Sequence, residues 1–443
     1  MVFSRSTLYI SSAPYLMRSF DGGNTWAESL LICDADTPSW TTYDLINYAS
    51  GRLNIAGVTI GSNQFDNYNV ETKYSDNLGI NWTNPHFWFQ RDQTGAGRGM
   101  GIAVAETLFY GFLHSGGHNY EIIDSIKTAV SYNNGISWGP LRQVIYQENG
   151  NYLLTFAYSL GRIHLIYQEF SENNPATEVY YIFSDDWGET WSIPIVVSDD
   201  AIDHSQWPSI SSSDDGRVIV TWFDYKYGSG HGGFTGDILY RFSSDNGLSW
   251  GEESRLTTNQ EGTSSRAFIA GNKIGIVWED YRTGFTDSEL YYTESTDNGQ
   301  SWSQEFKLTS AFGMSTYQRL TVQADKLYLV WGDARNNPQF DKDVYFRRAD
   351  DVVGIEEDNT SPIPNELSLS AYPNPFNDRT TITTNESDIA VIVIYDISGR
   401  LIATLKTSNG QVRWEAEGYS SGIYIAKTIS GDKASTIKLV LLK

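Results

Sequence analysis

The sequence predicts an all-β chain, a β-propeller of repeated small sheets followed by a compact β-sandwich, on three observations. An octapeptide, Ser-x-Asp-x-Gly-x-x-Trp, recurs six times, with tryptophans at Trp26, Trp82, Trp138, Trp191, Trp250 and Trp302. The spacing of 52 to 59 residues is too long for a helical solenoid pair and suits a four-stranded sheet. Within the later repeats, apolar runs bounded by polar turns recur at 218–222, 274–278 and 327–331. Finally, residues 352–366 turn acidic and proline-bearing, and a different strand pattern follows them.

The octapeptide combines small residues and glycine for a tight turn with a large apolar anchor. Its third position holds Asp21, Asp186, Asp245 and Asp297, but Asn77 and Asn133 in the second and third copies. An amide replaces a carboxylate without loss only where the side chain accepts hydrogen bonds from turn amides. These positions are therefore structural, and neither acids nor metal ligands are expected there.

The apolar runs read as second strands, B, and the segments 237–240, 289–292 and 343–346 as third strands, C. Strand C occurs seven times between Tyr15 and Tyr345, which favours seven blades, with six as the alternative. The first repeat shows strands at 7–10 and 15–18 and no room for an innermost strand A. With no charged segment leading into an apolar one at the start, the N-terminus reads as truncated. The propeller is placed at 1–351, the linker at 352–366 and the last module at 367–443. In that module strands at 380–384, 389–395, 400–406, 420–427 and 436–443 make a short sandwich.

Composition narrows the partners. There are 31 Lys and Arg against 54 Asp and Glu, a net charge of −23 with no basic block, so nucleic acid and anionic membrane surfaces are not expected. The single cysteine, Cys33, allows no intramolecular disulfide and no cysteine metal cluster, and reads as a small apolar core residue. No run of eighteen apolar residues occurs, so no membrane span is expected.

The octapeptide is similar to the Asp-box, or BNR repeat, of sialidase-like propellers, and the resemblance extends over roughly residues 1 to 350. The last module resembles the type A C-terminal sorting domain of the type IX secretion system. The motifs that carry this are Tyr372-Pro-Asn-Pro-Phe-Asn377, Ile394-Tyr-Asp-Ile-Ser-Gly-Arg400, Ser421-Gly-Ile-Tyr424 and Lys438-Leu-Val-Leu-Leu-Lys443, in the family's order. This second resemblance implies that residues 367–443 engage the secretion machinery and that the chain is exported to the medium or the surface of a Bacteroidetes-like bacterium.

Function is expected on the end that carries the strand A starts and the B-to-C loops, away from the octapeptides. The sialidase resemblance implies three arginines on innermost strands that clamp a substrate carboxylate, and Arg98, Arg266 and Arg319 are the candidates. A guanidinium fork matches a carboxylate with two bonds. The family's Phe/Tyr-Arg-Ile-Pro motif is absent, and Arg98 lies in Gly97-Arg-Gly-Met100 instead. The resemblance also implies a tyrosine nucleophile, a glutamate that activates it and an aspartic acid. Tyr345, Glu279 and Asp124 are of the right types, but no role is assigned to them, so the catalytic residues stay unknown.

The tripled motif Trp-x-Asp-x-Lys/Arg, at Trp222, Asp224 and Lys226, Trp278, Asp280 and Arg282, and Trp331, Asp333 and Arg335, reads as exposed structural ion pairs. The glycine-rich loop from Tyr225 through His231 to Asp237 is the ligand-loop candidate. His114 and His118 lack a third zinc ligand. No metal or other cofactor is assigned; calcium at Asp280, Asp287, Asp341 and Asp343 stays open. Two functions compete: binding of an extracellular carbohydrate or glycoprotein, and exo-α-sialidase-type glycoside hydrolysis.

Overall fold

The computed structural model describes residues 2–349 and 369–442, apart from 5–6, 13–14, 28, 33–40, 50–51, 61–67, 93–95, 117–122, 149–153, 171–175, 199–202, 324–325, 336–342, 385–389, 398, 409 and 431–432. The chain forms two compact units, Met1–Ile355 and Glu356–Lys443. The linker at 352–366, Cys33, His118 and Asp341 lie outside the described residues.

The first unit is a succession of seven antiparallel sheets among the described residues, six with four strands in chain order A, B, C, D and the seventh with A, B and C. The first sheet corrects the sequence reading, because Val2–Ser4 forms a strand A that pairs with Thr7–Ser12. A strand of three residues with one apolar pair is too short for alternation to reveal. Strand D is equally slight in sheets 4 to 6, as in Ile195–Val196, Ser254–Arg255 and Phe306–Lys307. The seventh sheet has three described strands, Ser315–Gln323, Lys326–Asp333 and Asp343–Ala349.

The octapeptide turns lock each sheet to the one before it. In the fourth turn Ser184 Oγ donates to Asp186 and accepts from the Gly188 amide, while the Asp186 carboxylate accepts from the backbone N–H and hydroxyl of Thr190. Asn133 keeps the backbone bond to Ser137 and turns its amide NH2 to that hydroxyl, which is why the substitution is tolerated. The residue before the glycine and the glycine itself both have positive φ, as in Trp187 at 58° and Gly188 at 80°.

A Cβ on these glycines would strike the preceding sheet: Leu16 for Gly79, Asn54 for Gly135, Tyr181 for Gly247. The same relation closes the ring. Gly23 of the first turn abuts Phe346 of the seventh sheet, Trp26 packs edge-on against that ring, and Arg348 donates to the Gly22 carbonyl. Arg18, Arg52 and Arg162 make the equivalent bond to Leu78, Asn134 and Asn246. Apolar clusters fill each interval, from Leu16, Ile32, Leu53 and Ile55 between the first two sheets to Phe268, Leu290, Leu329 and Trp331 between the last two.

These contacts predict the cost of a methyl group. Gly247→Ala combines a φ of 77° with a Cβ that would strike Tyr181 Oη, whereas Gly161→Ala has a similar φ of 85° and open space. Gly161→Ala should cost about 1 kcal/mol from backbone strain alone. Gly247→Ala should cost about 1 to 2 kcal/mol more, read as the difference between their chemical-denaturation midpoints. Equal losses would mean that the turn does not bear on Tyr181.

The second unit is a two-sheet sandwich. Leu369–Tyr372, Arg379–Thr384 and Gln411–Glu415 form one sheet, and Leu401–Lys406, Val391–Asp396, Gly422–Ser430 and Lys433–Leu441 the other. Ile382, Ile392, Ile394, Trp414, Leu439 and Leu441 fill the space between them. The Tyr372 to Asn377 motif clips the last strand: Asn374 bonds both Lys438 O and Val440 N, and Phe376 pairs with Val440 and Leu442 through the backbone.

Candidate functional site

Strand register fixes one end of the last three sheets. The first residue of strand A pairs with the last of strand B, as in Ser205 with Asp224, Gly262 with Asp280 and Ser315 with Asp333. Strand C starts at the same level, at Asp237, Glu289 and Asp343. The octapeptide turns follow strand C and lie at the opposite end.

The tripled motif is a buried brace, which corrects the reading of exposed pairs. Asp224, Asp280 and Asp333 are fully or almost fully buried, and each accepts the indole N–H of the tryptophan two residues earlier at 2.9 to 3.0 Å. Arg282 and Arg335 fork onto Asp280 and Asp333. Lys226 turns instead to Glu253 at 3.1 Å. Burial pushes the Asp224 carboxyl up, whereas at Asp280 and Asp333 the same burial is outweighed by the guanidinium and indole donors, which hold both low. Asp280 also accepts from Asn259, so its oxygens are committed to the brace and not to a calcium ion.

Asp237 of the ligand loop is also corrected. It is fully buried and accepts bonds from Arg255, Thr257 and the Gln260 amide, so it anchors the loop rather than facing a ligand. Tyr225 is half-buried against Phe223, and burial raises its phenol. His231 lies nearer the surface, with Nδ1 2.5 Å from Glu261 Oε2. Glu279 and Tyr345 are held in the scaffold, Glu279 by the Tyr317 N–H and Tyr345 by stacking on Trp331 and Arg335. Asp124 and His114 are on strands Ile123–Ser131 and Thr107–Gly116, and their own side chains lie outside the described residues.

Arg266 and Arg319 are half-buried and equivalent in register, each the first paired residue after a bulge in strand A. Their guanidinium groups donate to the carbonyls of Ser265 and Gln318. Arg98 differs. In its strand, Ala96–Val104, pairing skips from Ala96 to Gly99, so Arg98 falls inside the bulge, one residue short of that position; its side chain is outside the described residues.

What the sequence reading missed is a set of aromatic rings at this end. Phe234 is 68% exposed, Phe285 54% and Phe312 72%. Phe234 and Phe285 come from adjacent B-to-C loops, with ring centroids 6.5 Å apart. Trp207 and Tyr317 join them from the strand A bulges, 40% and 62% exposed. Both have positive φ, 56° and 59°, and both backbone N–H groups are held by a side chain of the preceding sheet, Gln168 and Glu279. Pro208 within a strand was the available sign of a bulge.

Residues 370–442 match the family described as the secretion system C-terminal sorting domain. No curated protein matches the chain. Among solved structures it is similar to the polysaccharide lyase Uly1, with TM-score 0.53 and 11% identity over 78% of this chain and 88% of that one. It is also similar to the Hadza microbial sialidase Hz136, with TM-score 0.48 and 16% identity over 69% of this chain and 65% of that one, and so spans just under two thirds of its length. A third similar structure is the intramolecular trans-sialidase from Ruminococcus gnavus, with TM-score 0.47 and 12% identity over 71% and 95%. At such identities the likeness speaks for the fold alone. The first unit has the sialidase-like β-propeller fold, and residues 370–442 are a type IX secretion system sorting domain that directs the chain to the surface or surroundings of a Bacteroidetes-like bacterium.

Proposed function

We propose that the exported propeller, with its seven sheets as seven blades, binds extracellular carbohydrate through the strand A and B-to-C loop end of sheets 5 to 7. The observation that carries this reading is the concentration of large exposed rings there, Phe234, Phe285 and Phe312, beside the polar pair His231 and Glu261. A pyranose ring offers an apolar C–H face and a hydroxyl edge, which suit an aromatic surface with a few placed polar groups. A glycoprotein carrying such a glycan presents the same chemistry. Sialoside hydrolysis has less support, because Arg98 is out of register with Arg266 and Arg319, and Glu279 is occupied by the Tyr317 N–H.

The full chain should be retarded in native gels that contain soluble extracellular polysaccharide. The double variant Phe234→Ala, Phe285→Ala should lose about tenfold in affinity, about 1.4 kcal/mol. Lack of retardation by every polysaccharide, or turnover of a fluorogenic sialoside that Arg266→Ala abolishes, would overturn the binding reading.

A further inference from the structure

The bulges of strand A in sheets 5, 6 and 7 are equivalent, and they place Trp207, Ser264 and Tyr317 at the same position of three successive sheets. All three have positive φ, at 56°, 46° and 59°. For a bulky L-residue that conformation is strained and persists only where the surroundings impose it. The surroundings here are specific. Gln168 Oε1 accepts the Trp207 N–H at 2.8 Å and Glu279 Oε1 accepts the Tyr317 N–H at 2.7 Å, each from the end of strand B in the preceding sheet. Gln168 and Glu279 are themselves buried. Two buried polar side chains thus fix the backbone at the two residues whose rings stand in solvent, which is the reverse of what core packing requires.

At the equivalent position of the sheet between them stands a small residue, Ser264, which is buried. Gln318, also buried, spans from the seventh sheet to the sixth and donates through Nε2 to the Ser264 carbonyl. Its Oε1 has no hydrogen-bond partner among the described residues. A buried acceptor without a donor is uncommon and costly, so it marks a place where a donor is missing.

We infer that Trp207 and Tyr317 are the two walls, and Ser264 and Gln318 the floor, of a stacking subsite for a neutral hexopyranose unit of an extracellular polysaccharide. The inference rests on the carbohydrate-binding reading above and names its subsite and sugar class. A pyranose ring supplies what the slot lacks, apolar C–H faces for two aromatic walls and hydroxyl donors for the floor. The neutral sugar follows from charge. The carboxylates Glu261 and Glu279 belong to this end, the chain carries −23 overall, and the NH1 groups of Arg266 and Arg319 are drawn to their own backbone. Gln168 and Glu279 act as positioning residues.

The test is affinity electrophoresis of the full chain in soluble mixed-linkage β-glucan and, separately, in polygalacturonate. Trp207→Ala and Tyr317→Ala should each weaken glucan binding tenfold or more with an unchanged thermal midpoint, and Trp207→Phe should retain most of it. Ser264→Asn, which tolerates the left-handed backbone but fills the floor, should weaken binding in a chain whose walls are intact. Gln168→Ala should weaken binding and Gln168→Glu, which keeps the acceptor, should restore it. Glucan binding that survives both wall substitutions and Ser264→Asn would overturn the subsite while leaving the carbohydrate-binding face in place. Tighter binding to polygalacturonate would overturn the neutral sugar, and absence of binding to any polysaccharide would remove the subsite together with the reading it rests on.

Discussion

Asp280→Ala should destabilise the propeller by about 3 to 5 kcal/mol, the cost of removing one partner from a buried charge pair. The substitution strips acceptors from four donors at once: the Trp278 indole, the Asn259 amide, the Arg282 backbone N–H and the Arg282 guanidinium. The guanidinium keeps Glu305, so the penalty falls mainly on the groups left inside. Asp224→Ala should cost less, because the Lys226 ammonium pairs with Glu253, whereas the Arg282 guanidinium forks onto Asp280. Denaturant unfolding of the full chain, followed by tryptophan fluorescence, should therefore rank Asp280→Ala well below Asp224→Ala in stability. An Asp280→Ala variant within 1 kcal/mol of the parent would show that the brace is incidental. The sign with pH differs between the two sites. Asp280 is held below the usual carboxylate range, so its contribution is present above the unfolded-state value and is lost as pH falls through the lower folded-state value. Asp224 is raised, so protonation on acidification relieves a cost instead.

The parts of the fold legible in the sequence are those with local, repeated chemistry. Six tryptophans in near-constant spacing, and strands B such as Lys273–Asp280 with continuous burial from Ile274 onward, need no tertiary knowledge to be recognised. Strand A was harder, since its bulges break the alternation at the point where Trp207 and Tyr317 turn outward. A positive φ at a non-glycine residue leaves no mark on composition, and the acceptors that hold it, Gln168 and Glu279, lie 39 and 38 residues away. Asp237 misled for a related reason. Its place in a glycine-rich loop suggested exposure, whereas Arg255 and Thr257, from strand D and just beyond, enclose it. In the sorting domain the strand Gln411–Glu415 escaped notice because only Val412 and Trp414 alternate in five residues, although Trp414 is central to the core.

Acidification from pH 6.5 to 4 should cost the propeller about 3 kcal/mol through His164 alone. Burial, reinforced by the nearby Arg162 guanidinium, lowers this imidazole from its ordinary 6.5 to about 4. Well above pH 6.5 it is neutral in both the folded and the unfolded chain and contributes no slope. Below that, the unfolded chain takes up a proton that the folded one refuses, so stability falls until the folded-state value is reached. A shift of 2.5 units corresponds to about 3 kcal/mol. The hydrogen bonds give the refusal a local cause. Ser159 Oγ donates to Asn246 at 2.7 Å, which leaves its oxygen to accept from His164 Nε2 at 2.9 Å, and Tyr181 Oη then donates to Nδ1 at 2.7 Å. A proton on Nδ1 would confront that phenol hydroxyl, which already donates to it. The network joins the fourth sheet to the fifth octapeptide turn, so its loss should loosen that interval. Between pH 6.5 and 5, before most carboxylates titrate, the parent should lose about 2 kcal/mol that His164→Gln, with no titrating group, does not lose. Parallel stability profiles for the two proteins over this range would show that His164 takes up its proton without unfolding, and that the lowered imidazole is wrong.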